Sequence, residues 1–291
     1  MKKGMLSIAV ILLTMAGIVQ AAGDAGSTAG PAIAANDLHG AINLTYTSKY
    51  VWRGFTIFGA QSAIHPSIDL DLYGSGFGLS AVGHRANSSG YEINERWDYT
   101  LYYANRLWES EWYAANYRLS YVYYNYPDRS SHSTSTVGAT MDLQELNGVC
   151  SFPNLLGVKG LVPSYVLVKL WPSNSDSVVG DNHPAGGSTA SGFAHIFMLD
   201  YGWVIPAIVP NTAEQVLNLH AEAVYNDGVC PNGARNVDHD WSNAVFGVST
   251  DFPICENLVF TPGVYHQVTM DKSVNDDKSI TWANASLTYK F

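Results

Sequence analysis

The chain has 291 residues, of which only 14% are charged, against about 25% in typical soluble domains. Its formal net charge of −10 argues against nucleic acid as a partner, since nucleic-acid binding requires a basic surface. The 18 Tyr, 10 Phe and 8 Trp favour the aromatic girdles of a membrane β-barrel, although soluble β-sandwiches can share this composition.

The first 21 residues have the organisation of a secretory signal peptide. A basic start at residues 1–3 precedes a mostly apolar run over residues 5–18, and small residues end the segment at Ala21. We therefore predict a signal peptide over residues 1–21, whose removal changes the formal net charge to −12. No other stretch approaches the length of apolar sequence that a membrane helix needs.

The segment that follows, residues 22–39, is rich in Ala and Gly and has no sustained period. This composition predicts a flexible periplasmic lead-in. The remaining residues, 40–291, are predicted to form one domain.

Within that domain, apolar and polar residues alternate in twelve runs, the pattern of strands with one face towards lipid. In the first run Ile42, Leu44 and Tyr46 share one face. The run at 192–203 is poorly phased, so either of its faces could point outward. The runs are 41–52, 63–73, 77–85, 95–103, 112–124, 134–143, 164–171, 192–203, 215–225, 240–251, 257–268 and 279–291.

The fold class predicted from these runs is all-β, a transmembrane antiparallel up-and-down β-barrel of about twelve strands. An even number of strands returns both ends of the barrel domain to the periplasm. Long connections at 172–191 and 226–239 fit the extracellular side, and a short one at 73–76 fits the periplasmic side. The segment 145–163 does not fit, because it is long where the connection should be short; we expect it to hold a helix or an extended strand base.

The last strand places Phe291, Tyr289 and Leu287 on its apolar face. It resembles the closing strand of bacterial outer-membrane barrels, which typically ends in Phe with an aromatic or apolar residue two places earlier. The resemblance implies an outer-membrane location, contact with outer-membrane lipid, and recognition of this strand by the barrel-assembly machinery.

Residues 47–54, Thr-Ser-Lys-Tyr-Val-Trp-Arg-Gly, resemble the Ser-x-Tyr-Val-aromatic-Arg-Gly signature of the TorF family of porins. The similarity continues through residues 68–70 and through Glu92, Glu95 and Asp98, and Trp52 stands where Phe is more usual. Membership would imply an outer-membrane porin, and no catalytic residues are carried over with it.

Strand parity directs charged side chains of both signs into the lumen. A Lys or Arg on the lipid face at mid-depth would cost about 2–4 kcal/mol, which enforces the parity. These groups could form a constriction that selects solutes by charge, or an ion-pair network that fills a small barrel. The candidate pore-lining residues are Lys49, Arg53, Asp69, Asp71, Arg96, Asp98, Arg118, His220 and Glu222.

Twelve strands lie between the eight that side chains fill and the sixteen or more that leave an open channel. We therefore expect a narrow pore, or one partly closed by Arg53 and its loop. The first hypothesis is a porin for passive diffusion of small hydrophilic solutes. The alternative is a non-conducting barrel with a structural or surface-binding role.

Catalysis and metal binding have weak support in the sequence. Outer-membrane phospholipase A also has twelve strands, but the spacing around His84 differs from its His/Ser region, and parity points His84 inward, away from lipid. Either His220 with Glu222 or the segment 238–240 could hold a cation, yet the sequence favours a lumen pair for the first and a solvated loop for the second. We expect no enzyme activity, cofactor or metal.

Three cysteines, Cys150, Cys230 and Cys255, allow at most one internal disulfide. There is no Cys-x-x-Cys motif. If a pair forms, we expect Cys150 with Cys255, because both fall on the periplasmic side.

Overall fold

The computed structural model describes residues 38–128, 142–173, 191–206, 208, 214–229 and 237–291. Twelve antiparallel strands form the barrel. They are β1 (His39–Thr47), β2 (Ala63–Asp71), β3 (Phe77–Ala86), β4 (Arg96–Leu107), β5 (Ala115–Asn125), β6 (Leu143–Ser151), β7 (Leu161–Pro172), β8 (Gly192–Pro206), β9 (Glu214–Asp227), β10 (Asp240–Thr250), β11 (Leu258–Thr269) and β12 (Ile280–Lys290).

The remaining described elements are short. Three lie outside the barrel ladder, at Val51–Trp52, Phe55–Thr56 and Glu92–Asn94, and two follow β10 and β11, at Phe252–Cys255 and Asn275–Asp277. Across the described ranges, no helix is long and apolar enough to cross a membrane. The predicted signal peptide, almost all of the lead-in, and Cys230 lie outside the described residues; both described thiols, Cys150 and Cys255, are free.

The barrel closes between its first and last strands. Each strand pairs antiparallel with the next, and β12 pairs with β1 in a register that sets Leu287 beside Leu44. Two backbone hydrogen bonds of 3.0 Å join Gly40 and Phe291 in both directions. Phe291 therefore completes the closing ladder, and the predicted twelve-stranded barrel is confirmed.

The two ends of the barrel differ in their connections. β2 and β3 are joined by the short turn 72–76, and β6 and β7 by residues 152–160. The connections that follow odd-numbered strands, such as 48–62 and 87–95, lie at the opposite end. We call these the turn end and the loop end; the start of β1 and the end of β12 both lie at the turn end.

The outer surface is an apolar band with aromatic side chains near each edge. Phe77, Tyr103 and Tyr117 form a row of tilted rings near the turn end, with neighbouring ring centroids 4.8 and 6.1 Å apart, as expected for an interfacial girdle. This band confirms the predicted parity of the strands. Its exposed members include Ile42, Leu44, Ile64, Ile68, Leu79, Tyr99, Leu101, Leu119, Leu146, Leu167, Phe197, Leu199, Phe246, Val248, Val264, Leu287 and Tyr289.

Two predicted strands were wrong in position. The sixth was predicted at 134–143, mostly outside the described residues, but β6 occupies Leu143–Ser151. About half of the segment 145–163 therefore belongs to β6 and β7. The connection that remains, residues 152–160, is as short as expected at the turn end. The first run was predicted to reach Trp52, whereas β1 ends at Thr47 and the chain turns into the barrel.

Inward-facing glycines make room for two large rings. A Cβ added at Gly247 would overlap the ring of Tyr265, and one added at Gly78 would overlap the ring of Tyr102. These two rings cover backbone that has no side chain of its own.

Candidate functional site

The connection between β1 and β2 folds into the lumen instead of covering the loop end from outside. Its residues 50–58, called here the insert, form a hairpin in which Trp52 pairs with Phe55. Arg53 and Gly54, with φ of 50° and 88°, make the two-residue turn with positive φ that suits the twist of a β-hairpin. Tyr50, Trp52 and Phe58 are 0% exposed, so the insert is part of the core.

The tip of the hairpin is fixed to β11 and to the connection that follows β11. The Gly54 carbonyl accepts hydrogen bonds from the Gln267 side-chain amide at 2.8 Å and the Asn275 side-chain amide at 2.5 Å. A Cβ at Gly54 would overlap the side chain of Asn243, so only glycine allows this close approach. The backbone N–H of Thr56 also donates to Asn275, at 2.9 Å.

An ion pair between Arg53 and Glu145 links the insert to β6. The distance from Arg53 Nη2 to Glu145 Oε2 is 2.5 Å, and the two side chains are 3% and 1% exposed. The hydroxyl of Tyr124 donates to the same oxygen at 2.7 Å, and the Asn147 amide donates to the other oxygen at 2.9 Å. A buried carboxylate needs such partners, because removing one leaves an uncompensated charge.

Arg96 fills the space beneath the insert. Its guanidinium lies 4.8 Å from the Trp52 ring and 4.6 Å from the Tyr124 ring, both within cation–π range. Asp98 neutralises it through contacts of 2.8 and 3.1 Å. Arg96 therefore joins the insert, β4 and β5 into one packed unit.

A chain of hydrogen bonds continues from Asp98 to β1. Asp98 Oδ2 lies 2.9 Å from His84 Nε2, and His84 Nδ1 lies 2.8 Å from His65 Nδ1. His65 Nε2 lies 3.2 Å from the hydroxyl of Thr47. Tyr50 packs on both imidazoles, stacked on His84 at 4.7 Å and tilted on His65 at 4.8 Å. Burial raises the pKa of Tyr50 well above its usual value, so its hydroxyl stays protonated.

Nearer the turn end the inner wall is polar. Arg118 lies over the ring of Tyr102 at 3.7 Å, and the Tyr102 hydroxyl donates to Asp69 at 2.9 Å. Asp71 accepts from the backbone N–H of Gly74 at 2.7 Å, so it stabilises a turn.

A second group of charges lies on β8 and β9. His220 Nδ1 is 2.6 Å from Asp200 Oδ1, and His220 Nε2 is 3.8 Å from Glu222 Oε2. All three side chains are buried. His220 thus bridges two carboxylates on the inner wall.

A cavity of about 780 Å³ lies at the turn end, between the turns 108–114 and 152–160 and the bases of β8 and β9. It reaches the inner wall at Ser164, Asp200 and Asn218. The lumen is therefore divided: the insert fills the part near the loop end, and open space lies near the turn end on the side of β7, β8 and β9.

The predicted pore-lining residues separate into groups. Arg53, Arg96 and Asp98 come together around the insert. Asp69 and Arg118 are linked through Tyr102, and His220 lies beside Glu222. Lys49 lies apart from these groups, since its Nζ donates to the Thr281 carbonyl at 3.2 Å near the loop end. Four residues that take part in these contacts were not among the predicted candidates: Tyr50, His65, Glu145 and Asp200. Strand parity sets His65 on the same inner face as Asp69, so parity could have added it to the candidates.

The structure also bears on the enzyme and metal alternatives. His84 points into the lumen as predicted and is 2% exposed beneath Tyr50, so it has no access to acyl chains. Asp227, Asp238 and His239 offer oxygen and nitrogen atoms within 4.8 Å of one another at the loop end. His239 already pairs with Asp227 at 3.1 Å, which agrees with a solvated loop.

No family model matches the chain, and no curated protein matches it. Among solved structures, the COG4313 outer membrane channel from Pseudomonas putida F1 has 10% identity and a TM-score of 0.46, covering 91% of this chain and all of that one. LpxR from Salmonella typhimurium has 9% identity and a TM-score of 0.41, with coverage of 86% and 100%. A porin has 11% identity and a TM-score of 0.34, and the match covers 79% of this chain and 62% of the porin.

At such identities the function has to be argued from this chain's own residues. The resemblance of residues 47–54 to the TorF family stays a prediction, because no family model tests it.

Proposed function

We propose that the chain is a gated outer-membrane channel for passive diffusion of small hydrophilic solutes. The observation that carries the proposal is the divided lumen. Open space at the turn end reaches a polar inner wall, and a separate segment closes the other half. A permanently closed barrel does not need a separate segment, because side chains of the wall itself can fill the interior, as they do in eight-stranded barrels.

The proposed location follows from the outer surface. The apolar band with its aromatic edges fits a lipid bilayer, and the long connections fit the extracellular side, so the loop end would face outward. β12 ends on Phe291 with Tyr289 and Leu287 on the lipid face, the arrangement through which we propose that the barrel-assembly machinery recognises the chain.

Permeation requires the insert to move. The insert is held by its buried aromatic side chains and by polar partners, the Arg53–Glu145 pair and the amides of Gln267 and Asn275. Water in an open lumen can replace the polar partners, so opening has to offset mainly the loss of aromatic burial. The candidate pore-lining residues would then contact the solute, and we propose no catalytic role for them.

Liposome swelling tests the proposal directly. Liposomes containing the purified, folded chain are diluted into iso-osmotic solutions of uncharged sugars of increasing size, with protein-free liposomes as the control. We expect swelling with the smallest sugar and a steep decline with size. A folded barrel, shown by heat-modifiable gel migration, that gives no swelling with any solute would contradict the proposal.

That negative result would support the second candidate, a non-conducting barrel with a structural or surface-binding role. The observation favouring it is the complete burial of Tyr50, Trp52 and Phe58, since a core this tightly packed can be permanent. The two candidates differ in one property only, whether the insert leaves the lumen.

A further inference from the structure

We propose that the pair formed by His65 and His84 makes closure of the lumen sensitive to pH, with acidification releasing the insert. The inference rests on the proposed function and adds its regulation. It starts from the geometry of three consecutive hydrogen bonds between Asp98, His84, His65 and Thr47.

When both imidazoles are neutral, each proton in these three hydrogen bonds has one consistent position. Asp98 is a carboxylate paired with Arg96, so it accepts from His84 Nε2–H. His84 Nδ1 is then an acceptor, and His65 donates to it from Nδ1–H. His65 Nε2 in turn accepts from the Thr47 hydroxyl. Every polar atom of the two rings is satisfied in this arrangement.

Additional protons do not fit the closed arrangement. The two Nδ1 atoms are only 2.8 Å apart, so two imidazolium rings would set one N–H against the other. A single added proton keeps the hydrogen bonds, but it places a positive charge beside Arg96 in a site where His65 and His84 are 4% and 2% exposed. A buried charge without a counter-ion is strongly unfavourable.

The surrounding groups do not offer that counter-ion. The charged and titratable groups that face the pair are Asp98 and Arg96 from β4, Tyr50 from the insert, and Tyr126 at the end of β5. Asp98 is already shared between Arg96 and His84, and Tyr126 accepts from Arg96 at 3.3 Å. The net charge of the four is zero before an imidazole takes up a proton.

Tyr50 connects this chemistry to the insert. Its ring covers both imidazoles, so withdrawing the insert exposes them to water in the lumen. The open arrangement then binds at least one more proton than the closed one, and acid favours opening by linkage. An accessible imidazole has a reference pKa of about 6.5, so one such proton shifts the open-to-closed ratio about 30-fold between pH 7.5 and pH 5.0.

The test measures exposure of the insert and conductance separately, in the full chain in bilayers. A Val51→Cys reporter, buried in the insert, and an Ala60→Cys reporter, exposed beside it, are placed in a chain whose three native cysteines are changed to Ser. Each is labelled with a membrane-impermeant maleimide at both pH values. The Ala60→Cys rate corrects for the reagent's own pH dependence.

We expect the corrected labelling of Val51→Cys to rise at least tenfold at pH 5.0. The rise should be less than twofold in the His65→Gln/His84→Gln variant and should already be smaller in His84→Gln alone. It should persist in the control His195→Gln, whose native side chain forms a hydrogen bond with Tyr165. A wild-type chain with no rise, or a double variant with an undiminished one, overturns the proposal.

Conductance separates this proposal from the proposed function. Labelling that rises without any channel current at either pH would support the pH response and contradict the channel. Channel current that is equal at both pH values, with constant labelling, would contradict the pH response and leave the channel supported.

Discussion

Replacing Arg53 with Ala should release the insert, because it leaves Glu145 in the core without its cation. Glu145 is 0% exposed, and its pairing oxygen lies 2.5 Å from Arg53. Breaking a buried ion pair by removing one partner costs about 3–5 kcal/mol. The open state avoids this cost, since water reaches Glu145 once the insert has left.

At about 1.36 kcal/mol per tenfold change, the closed-to-open ratio should fall by a factor of roughly 150 to 5,000. Single-channel recording in planar bilayers measures this as open probability. Arg53→Ala should be open for most of the record under conditions where the wild-type chain is mostly closed.

Two variants make the reasoning refutable. Arg53→Ala/Glu145→Ala removes both charges, so it should recover a large part of the closed time, with a coupling energy that a double-mutant cycle reports. Arg85→Ala, which removes an exposed outer-surface arginine 3.6 Å from Glu95, should behave as wild type. An Arg53→Ala channel with wild-type open probability would show that the ion pair does not hold the insert.

Two other substitutions test the barrel wall. Gly247→Ala should lower the free energy of unfolding by about 1–3 kcal/mol, because the new methyl group overlaps the Tyr265 ring. Urea unfolding in detergent micelles measures this change, and Gly148→Ala, whose new methyl group would make only ordinary contacts, is the control. Equal effects of the two substitutions would contradict the close packing of Tyr265 on Gly247. Deleting Phe291 should reduce the folded fraction in the outer membrane and leave conductance unchanged in channels that do insert; assembly at wild-type levels would refute its role in closing the barrel.

The strands and the faces they present could be predicted from the sequence because the bilayer imposes a strict alternation. Ile42 and Leu44 face lipid while Asn43 and Thr45 face the lumen, and a shift by one residue would invert all four. The same parity placed His84, His220 and Glu222 inside. These predictions needed only local spacing, which a single sequence contains.

β6 was missed because its outward face is weakly apolar. Of Gln144, Leu146, Gly148 and Cys150, only Leu146 is a large hydrophobic residue. The phase of β8 was open for a different reason: Ala194, Ile196 and Met198 face inward against the insert, so both faces of that strand are apolar. A strand that meets a packed core inside and lipid outside has no alternation to detect.

The insert itself could not be derived from local pattern. Its residues continue the alternation of β1, and the bend that takes them inward depends on partners far along the chain, such as Glu145 and Gln267. The Arg53–Glu145 pair spans 92 positions, and strand parity does not define which inward-facing charges meet across a lumen.

The most direct test of the account compares the intact chain with a variant in which residues 50–58 are replaced by a short Gly-Ser linker. Both are recorded as single channels in planar bilayers under the same salt and voltage. We predict brief, infrequent openings for the intact chain and a stable, larger conductance for the variant, since the linker leaves the loop-end half of the lumen open. Equal conductance in the two, with both shown to be folded barrels, would contradict the claim that the insert closes the channel.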